Sequence, residues 1–474
     1  MESRWDIVVL GCGPAGEKAA AQAAYFGKRV AIVDPLPVGG ACVHTGTLPS
    51  KSLREAALVL SGARALGLEA VHIAVEPHTR LRNLLAHKVA VVRAEEQRML
   101  DNLRRHGVTL VAGRGRLEAP DRVRVEPTDG GPAQVLRADV VLIATGTRPH
   151  RPSHLAFDHA RIWDTDEVVE MEQLPSSLLV YGAGVIGCEY ASIFAALGVE
   201  VTLVEPRDRV LPFVEDRVVE TLLAAFTSRG IQVRTRTKLG ACVADADGVD
   251  IGLTLDDGST ETLRAEQLLF AAGRTGNTEG LGLDAVGLTP DARGLLKVDA
   301  RYHTGVGQIY AVGDVIGFPA LASTSMDQGR VAVCHAFGFA YKQRLADLLP
   351  YGIYTVPEVS MVGETTQALR AAGRPFEIGL ATYGENARAR LQGEDDGLLQ
   401  LIFCPDTRAL LGVHVVGAGA SELVHTGMVA MQLGGTLDTF VDAVFNYPTL
   451  GELYKYAAYD GLGRLKRPTA GSGC

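Results

Sequence analysis

Short apolar runs that stop on glycine or on an acid recur along the chain and organise it. Residues 7–10 (Ile-Val-Val-Leu) lead into Gly11-Cys12-Gly13-Pro14-Ala15-Gly16, and residues 178–181 (Leu-Leu-Val-Tyr) lead into Gly182-Ala183-Gly184-Val185-Ile186-Gly187. An apolar run of strand length that breaks on glycine predicts a buried strand followed by a tight turn. Each turn is followed by a helical stretch, a second apolar run and an acid, Asp34-Pro35 in the first copy and Glu205-Pro206 in the second. The copies stay in register throughout: Ala20 corresponds to Ala191, Gly27 to Gly198 and Val30 to Val201. Further strand-like runs occupy residues 140–143 before Ala144-Thr145-Gly146, residues 268–273, and residues 309–312 before Gly313-Asp314. Residues 88–105 predict a helix with Val91, Val92, Leu100 and Leu103 on one side. Beyond about residue 348 the pattern changes to strand-like runs at 398–404 and 409–416 and a helix near 420–433.

The doubled unit carries the chemistry. In a strand–turn–helix of this form the glycines allow a tight turn and let the backbone approach a pyrophosphate that the helix N-terminus attracts. The acid ending the second strand is placed to accept hydrogen bonds from ribose hydroxyls. One GxGxxG alone is weak evidence. Two copies, Gly11/Gly13/Gly16 with Asp34 and Gly182/Gly184/Gly187 with Glu205, are the layout of a protein that binds two dinucleotides.

Composition narrows the class. At 474 residues the chain exceeds one ordinary core, so two or three domains are expected. A net charge of −9 argues against a nucleic-acid footprint, and no uninterrupted apolar run reaches membrane-spanning length. Residues 6–10 read as a buried strand that leads into the glycine turn, so no signal peptide is expected there. Seven scattered cysteines, an odd number, suit a reducing cytoplasm better than a secreted disulfide framework. Nothing in the His and Cys spacing suggests a metal; His44 and His425 are read as packing or hydrogen-bonding residues.

Between the two units lies Gly39-Gly40-Ala41-Cys42-Val43-His44-Thr45-Gly46-Thr47-Leu48-Pro49-Ser50-Lys51. This segment resembles the redox-active segment of the pyridine nucleotide–disulfide oxidoreductase family, in which two cysteines five positions apart form a disulfide beside a flavin. Here the first is Cys42 but the second position is Thr47, whose hydroxyl cannot enter thiol–disulfide exchange. The resemblance runs from Asp6 to Leu465. It implies an α/β fold with two Rossmann-like domains for FAD and NAD(P) and a C-terminal α+β dimerisation domain. The implied limits are 1–149 and 275–347 for a split FAD domain, 150–274 for the inserted NAD(P) domain, 348–465 for dimerisation and 466–474 for a flexible tail ending in Cys474.

The resemblance also implies roles for single residues. Asp314 would bond the ribitol of FAD, Thr145, Gly146 and Gly115 would lie toward its adenosine half or the domain crossing, and Ala322 would approach the isoalloxazine through its backbone. Gly273 opens the return crossing Gly273-Arg-Thr-Gly-Asn277. Lys51 would stand near flavin N5, on a helix begun by Pro49, and pair with Glu189. Where dithiol members carry a His-Pro-Thr, with the His as acid–base for the thiols, this chain has Tyr447-Pro-Thr449, so the base is missing together with the second thiol. Tyr447 and Glu452, which match that acid–base pair, are read here as structural. Among family members the segments around Cys42, Gly182, Gly273, Gly313 and Phe445 resemble soluble pyridine nucleotide transhydrogenases, although Thr45 replaces a usual tryptophan.

Two chemical expectations complete the reading. Near a helix N-terminus and a flavin, the Cys42 thiol is expected to have a lowered pKa. Glu205 favours NAD(H), yet Arg207 and Arg209 follow at once and could offset its repulsion of a 2′-phosphate. The resulting expectation is a cytoplasmic, homodimeric or higher-order FAD enzyme that moves hydride between NADPH and NAD+, with Cys42, Lys51 and Glu189 as catalytic candidates. An NAD(P)H:quinone or oxygen reductase remains the alternative. A dihydrolipoamide dehydrogenase-like protein or a non-catalytic flavin-binding protein stands further off.

Overall fold

The glycine turns stand at the C-terminal ends of the strands Glu2–Leu10 and Ser177–Tyr181, each paired in parallel with both of its neighbours. A computed structural model describes residues 2–35, 37–65 and 86–465; the tail from 466 on, with Cys474, lies outside the described residues. The first apolar run belongs to the strand Glu2–Leu10, longer than expected because its polar start pairs with the later strand Gln134–Ile143 (Glu2↔Val135). It lies between the parallel strands Val30–Asp34 and Gln134–Ile143, in register Ile7↔Val30 and Ile7↔Val140. Parallel strands covered on both faces require unbroken apolar runs, and Ile7, Val8, Val9, Ile32, Val141 and Ile143 are at most 1% exposed. Ile309–Ala311 enters this same sheet beside Gln134–Ile143, so a late segment returns to the first glycine turn.

The helices Pro14–Tyr25 and Ala322–Phe337 pack together on that sheet. Their close approach depends on Gly329, where a Cβ would stand 2.4 Å from the Ala15 carbonyl oxygen. The helix expected at 88–105 spans Ala86–Arg105. Met99 and Leu103 form its buried edge, with Val92 and Leu100 packed beside them.

The second sheet has five parallel strands in the order Gln232–Arg234, Glu200–Val204, Ser177–Tyr181, Gln267–Phe270 and Ile162–Asp164. Helices Val185–Ala196 and Asp216–Ser228 flank it, and an antiparallel meander (Lys238–Ala244, Val249–Thr254, Thr260–Ala265) packs against it as a separate sheet. The run expected at 268–273 stops as a strand at Phe270. Gly273 then takes φ 108° and the chain enters the ribbon Arg274–Gly276, antiparallel to Thr147–Pro149. Both crossings between the sheets thus run side by side.

The remainder is a five-stranded antiparallel sheet ordered Tyr351–Ile353, Val359–Gly363, Leu410–Val416, Leu398–Phe403 and Glu377–Thr382. Helices Ala420–Gln432, Leu437–Asp442 and Glu452–Leu465 cover it. The architecture is α/β, two Rossmann-like sheets followed by an α+β domain, as the apolar pattern and the resemblance predict. Among the described residues no helix is long and apolar enough to cross a membrane.

Candidate active site

The two glycine turns are built alike. Gly11 and Gly182 have φ of 102° and 101°, which L side chains rarely adopt. A Cβ would stand 2.4 Å from the Ala144 oxygen at Gly11 and 2.9 Å from the Ala271 oxygen at Gly182. At Gly16 and Gly187 it would meet the carbonyl oxygen of the first glycine at 2.0 and 1.8 Å. The middle glycines differ: a Cβ on Gly13 or Gly184 has nothing within 4 Å. These residues N-cap the helices Pro14–Tyr25 and Val185–Ala196, and no side chain caps either end. Each helix therefore presents free amides to a cleared space, the condition for holding a phosphate. Asp34 Oδ2 accepts from Cys12 N at 2.6 Å, and Glu205 Oε2 accepts from Ala183 N at 2.7 Å, so each acid is fixed at its own turn.

The residues around the first turn fit a flavin dinucleotide. Thr145 Oγ1 is buried without a partner, and Gly146 (φ 67°) faces open space. Asp314 lies behind them, where burial pushes its carboxyl above the ordinary value against the opposing pull of Arg274 and the Thr147 hydroxyl. Ala322 is the first residue of the sixteen-residue helix Ala322–Phe337, whose N-terminus no side chain caps. Gly115 has a packing reason of its own: a Cβ there would lie 2.6 Å from Leu10 Cδ2.

Lys51 and Glu189 meet across the two sheets. The helix carrying Lys51 runs Thr47–Ala65, so Pro49 lies inside its first turn and does not begin it. Lys51 Nζ donates to Glu189 Oε2 at 2.6 Å; the carboxylate is 4% exposed and the ammonium 25%. Glu189 Oε1 accepts the main-chain N–H of Tyr354 at 2.8 Å, and Lys51 Nζ lies 4.7 Å from the centre of the Tyr354 ring. A buried carboxylate with both oxygens bonded holds the cation beside it in a fixed place.

Cys42 departs from expectation. It lies in the five-residue helix Gly40–His44, too short for a strong terminal field. Burial pushes its thiol above the ordinary value, and Glu95 and Asp314 push the same way, outweighing the Thr47 hydroxyl bond to its sulfur and the charge of Lys51. The thiol is therefore favoured over the thiolate, contrary to the reading from its position. His44 Nε2 bonds the Val38 carbonyl at 2.9 Å, and Thr45 Oγ1 is buried without a partner.

At the second turn Glu205 is 1% exposed at its side chain and is gripped by Arg207, whose Nε reaches Oε1 at 2.7 Å and whose Nη2 reaches Oε2 at 3.1 Å. Arg207 N adds a bond at 3.0 Å. Although burial raises the Glu205 carboxyl, these bonds and that of Ala183 bring it below its ordinary value. Arg207 is 54% exposed, whereas Arg209 is engaged with Asp216 and the Val214 carbonyl. Gly273 faces open space beside the crossing. Tyr447 is 74% exposed on the C-terminal domain, and Glu452 opens the helix Glu452–Leu465.

Several contacts at the junction were not legible in the sequence. Arg274 donates to Thr147 Oγ1 at 2.8 Å, to the Thr147 carbonyl at 2.9 Å and to Asp166 at 2.9 Å, locking the crossing ribbon. Arg54 and Ser192 stand one turn beyond Lys51 and Glu189 and bind the backbone of residues 355 and 356. The helical spacing from Lys51 and Glu189 was the available clue to this pair; Tyr354 had none.

Comparison with known proteins agrees with this geometry. The family profile "Pyridine nucleotide-disulphide oxidoreductase" matches residues 5–329, and its dimerisation domain matches residues 349–458. A protein named soluble pyridine nucleotide transhydrogenase from Mycobacterium bovis is 44% identical over 463 residues, covering 98% of each chain. One of the same name from Vibrio parahaemolyticus is 41% identical, covering 98% of this chain and 99% of its own. The crystal structure of LpdA from Mycobacterium tuberculosis superposes with a TM-score of 0.87 at 29% identity, covering 96% of this chain and 99% of its own. With nearly the whole length matched and both glycine turns, the crossing ribbon and the C-terminal sheet in place, the chain belongs to the pyridine nucleotide–disulphide oxidoreductase family.

Proposed function

We propose that the protein is an FAD-dependent transhydrogenase that passes hydride between NADPH and NAD+ by a ping-pong route, as a cytoplasmic homodimer, without a redox-active disulfide. The observation that carries this reading is a combination. The Lys51–Glu189 pair is intact, while the second thiol position is filled by Thr47, whose hydroxyl bonds Cys42. The names of the relatives at 41–44% identity support the same activity. The sheet memberships support dividing the chain near residues 149, 274 and 347.

A flavin held at the first turn would supply the two-electron chemistry for exchanging hydride between nicotinamides. The protein's part is positional and electrostatic. The turn at Gly182–Gly187 and the helix Val185–Ala196 hold the nucleotide pyrophosphate by main-chain amides. Glu205 accepts the adenosine ribose, and Arg207 either neutralises that acid or turns to a 2′-phosphate, so both nucleotides use one site in turn. Glu189 holds Lys51 in place, where a cation would favour the build-up of negative charge during hydride arrival. Asp314, Thr145 and the amides at Ala322 hold the other dinucleotide. The raised Cys42 thiol stays out of the electron path.

Steady-state turnover of NADPH with a thionicotinamide analogue of NAD+, followed at separate wavelengths, tests the reading. Parallel double-reciprocal lines are expected. Absence of analogue reduction, with NADPH still consumed in the presence of a quinone, would replace it with the reductase alternative.

A further inference from the structure

The segment that joins the C-terminal domain to the site is bonded at almost every position. Tyr354 N donates to Glu189 Oε1 at 2.8 Å and Val356 N to Ser192 Oγ at 3.0 Å, while Arg54 Nε donates to the Thr355 carbonyl at 3.1 Å. Lys51 and Arg54 share one face of their helix, as do Glu189 and Ser192 of theirs. The two helices therefore clamp residues 354–356 from both domains. Glu358 extends the clamp: Oε1 takes Arg54 Nη2 at 2.8 Å, and Oε2 takes Ser421 N and Oγ at 3.1 and 2.8 Å. The Tyr354 hydroxyl lies beside Ser421, in the first turn of the helix Ala420–Gln432.

What that ring faces is the ammonium of Lys51, at 4.7 Å. The same ammonium has Glu189 at 2.6 Å, and that carboxylate is itself held by the Tyr354 main chain. One residue of the C-terminal domain thus touches both members of the pair. An aromatic face attracts a cation most strongly where water is excluded, and the pair is largely buried.

We propose that Tyr354 is a positioning residue for the hydride step, its ring face and main-chain N–H together fixing where the Lys51 ammonium stands. Its action is through Lys51, and the proposal rests on the reading of Lys51 as the cation beside the flavin. Hydroxyl and ring have separable roles: the ring holds the cation, while the hydroxyl only joins Ser421.

The test uses the flavin-loaded enzyme with Tyr354→Phe, Tyr354→Leu and Tyr354→Met. Three quantities are measured: the limiting rate of flavin bleaching by NADPH in anaerobic stopped flow, the half-saturating NADPH concentration, and the rate of Lys51 acetylation by N-hydroxysuccinimide acetate, read by peptide mass spectrometry. Phe keeps the ring and is expected within about twofold of native in all three. Leu and Met are expected to slow bleaching about tenfold, equivalent to about 1.4 kcal/mol, with half-saturation unchanged and Lys51 acetylated several-fold faster. Met is the substitute if Leu folds poorly. Native bleaching and labelling in both aliphatic variants would overturn the proposal, as would a Phe variant as impaired as Leu. Lys51→Ala separates the layers: if it bleaches at the native rate, the reading of Lys51 falls; if it is impaired while Leu and Met are native, only the role of Tyr354 falls.

Discussion

Arg207→Ala removes a guanidinium that reaches the Glu205 carboxylate at 2.7 and 3.1 Å, and leaves the Ala183 N–H bond to that carboxylate in place. Glu205 therefore stays where it is but loses its counter-charge. A 2′-phosphate approaching to ~4 Å of an unneutralised carboxylate meets roughly 4 kcal/mol of repulsion at an effective dielectric near 20. Arg207 is 54% exposed, so solvent and salt screen much of this. A retained cost of about 1.5–2 kcal/mol corresponds to a ~10–30-fold loss of kcat/KM for NADPH. For NADH, whose ribose is bonded by Glu205 itself, the change should stay below about threefold. Glu205→Gln should act in the opposite sense: it keeps an acceptor but loses the charge-assisted bond, lowering NADH efficiency about fivefold and leaving NADPH unchanged or improved. The assay is initial-rate kcat/KM for each nucleotide with one fixed acceptor, repeated at low and high salt, where the NADPH effect should shrink as salt rises. A loss in Arg207→Ala that is equal for NADH and NADPH would refute the reasoning.

Glu189→Gln leaves the Lys51 ammonium against a neutral partner and should slow flavin bleaching about a hundredfold while flavin content stays native, checked by stopped flow and absorbance. Cys42→Ser should keep turnover within about threefold, and native Cys42 should be alkylated by iodoacetamide at pH 8 more slowly than a free thiol, because burial holds it protonated. Thr47→Cys places a second sulfur where a hydroxyl now bonds Cys42; an anaerobic dithionite titration should then consume one additional electron pair per chain, with dithiol turnover still absent. His414 is fully buried, and burial pushes its imidazole below the ordinary value of 6.5, against the Glu364 carbonyl and Glu215. The unfolded chain therefore takes up the proton first as pH falls. Its contribution to stability is complete above about 6.5 and declines below it by up to about 1.4 kcal/mol per pH unit. Denaturant midpoints for His414→Gln should fall less steeply with acid than those of the native protein.

The repeated turn was legible because its constraints are local. Gly11 and Gly182 must take a positive φ, Gly16 and Gly187 must avoid a carbonyl, and each requirement leaves its mark within six residues. Asp34 and Glu205 follow from the length of one helix and one strand. The same locality explains an error: a place near a helix start suggests a lowered Cys42 thiol, whereas its environment is set first by burial and then by Glu95 and Asp314 arriving from elsewhere. The contacts of Tyr354, Glu358 and Arg274 were invisible for that reason too. Their partners Lys51, Arg54 and Thr147 lie far away in sequence, and a lone tyrosine or arginine carries no periodic signal. Lys51 and Glu189 are linked in the sequence only through resemblance, since no spacing rule connects residues on helices so far apart in the chain.

The central claim is that electrons leave the reduced enzyme by nicotinamide and not by sulfur. Its most direct test is anaerobic stopped flow in which protein bleached by one equivalent of NADPH is mixed with NAD+, with menadione, or with oxidised lipoamide. Recovery of the flavin band by NAD+ at or above the turnover rate, with lipoamide inert, is the predicted result. Negligible recovery by NAD+, or rapid recovery by lipoamide, would contradict it.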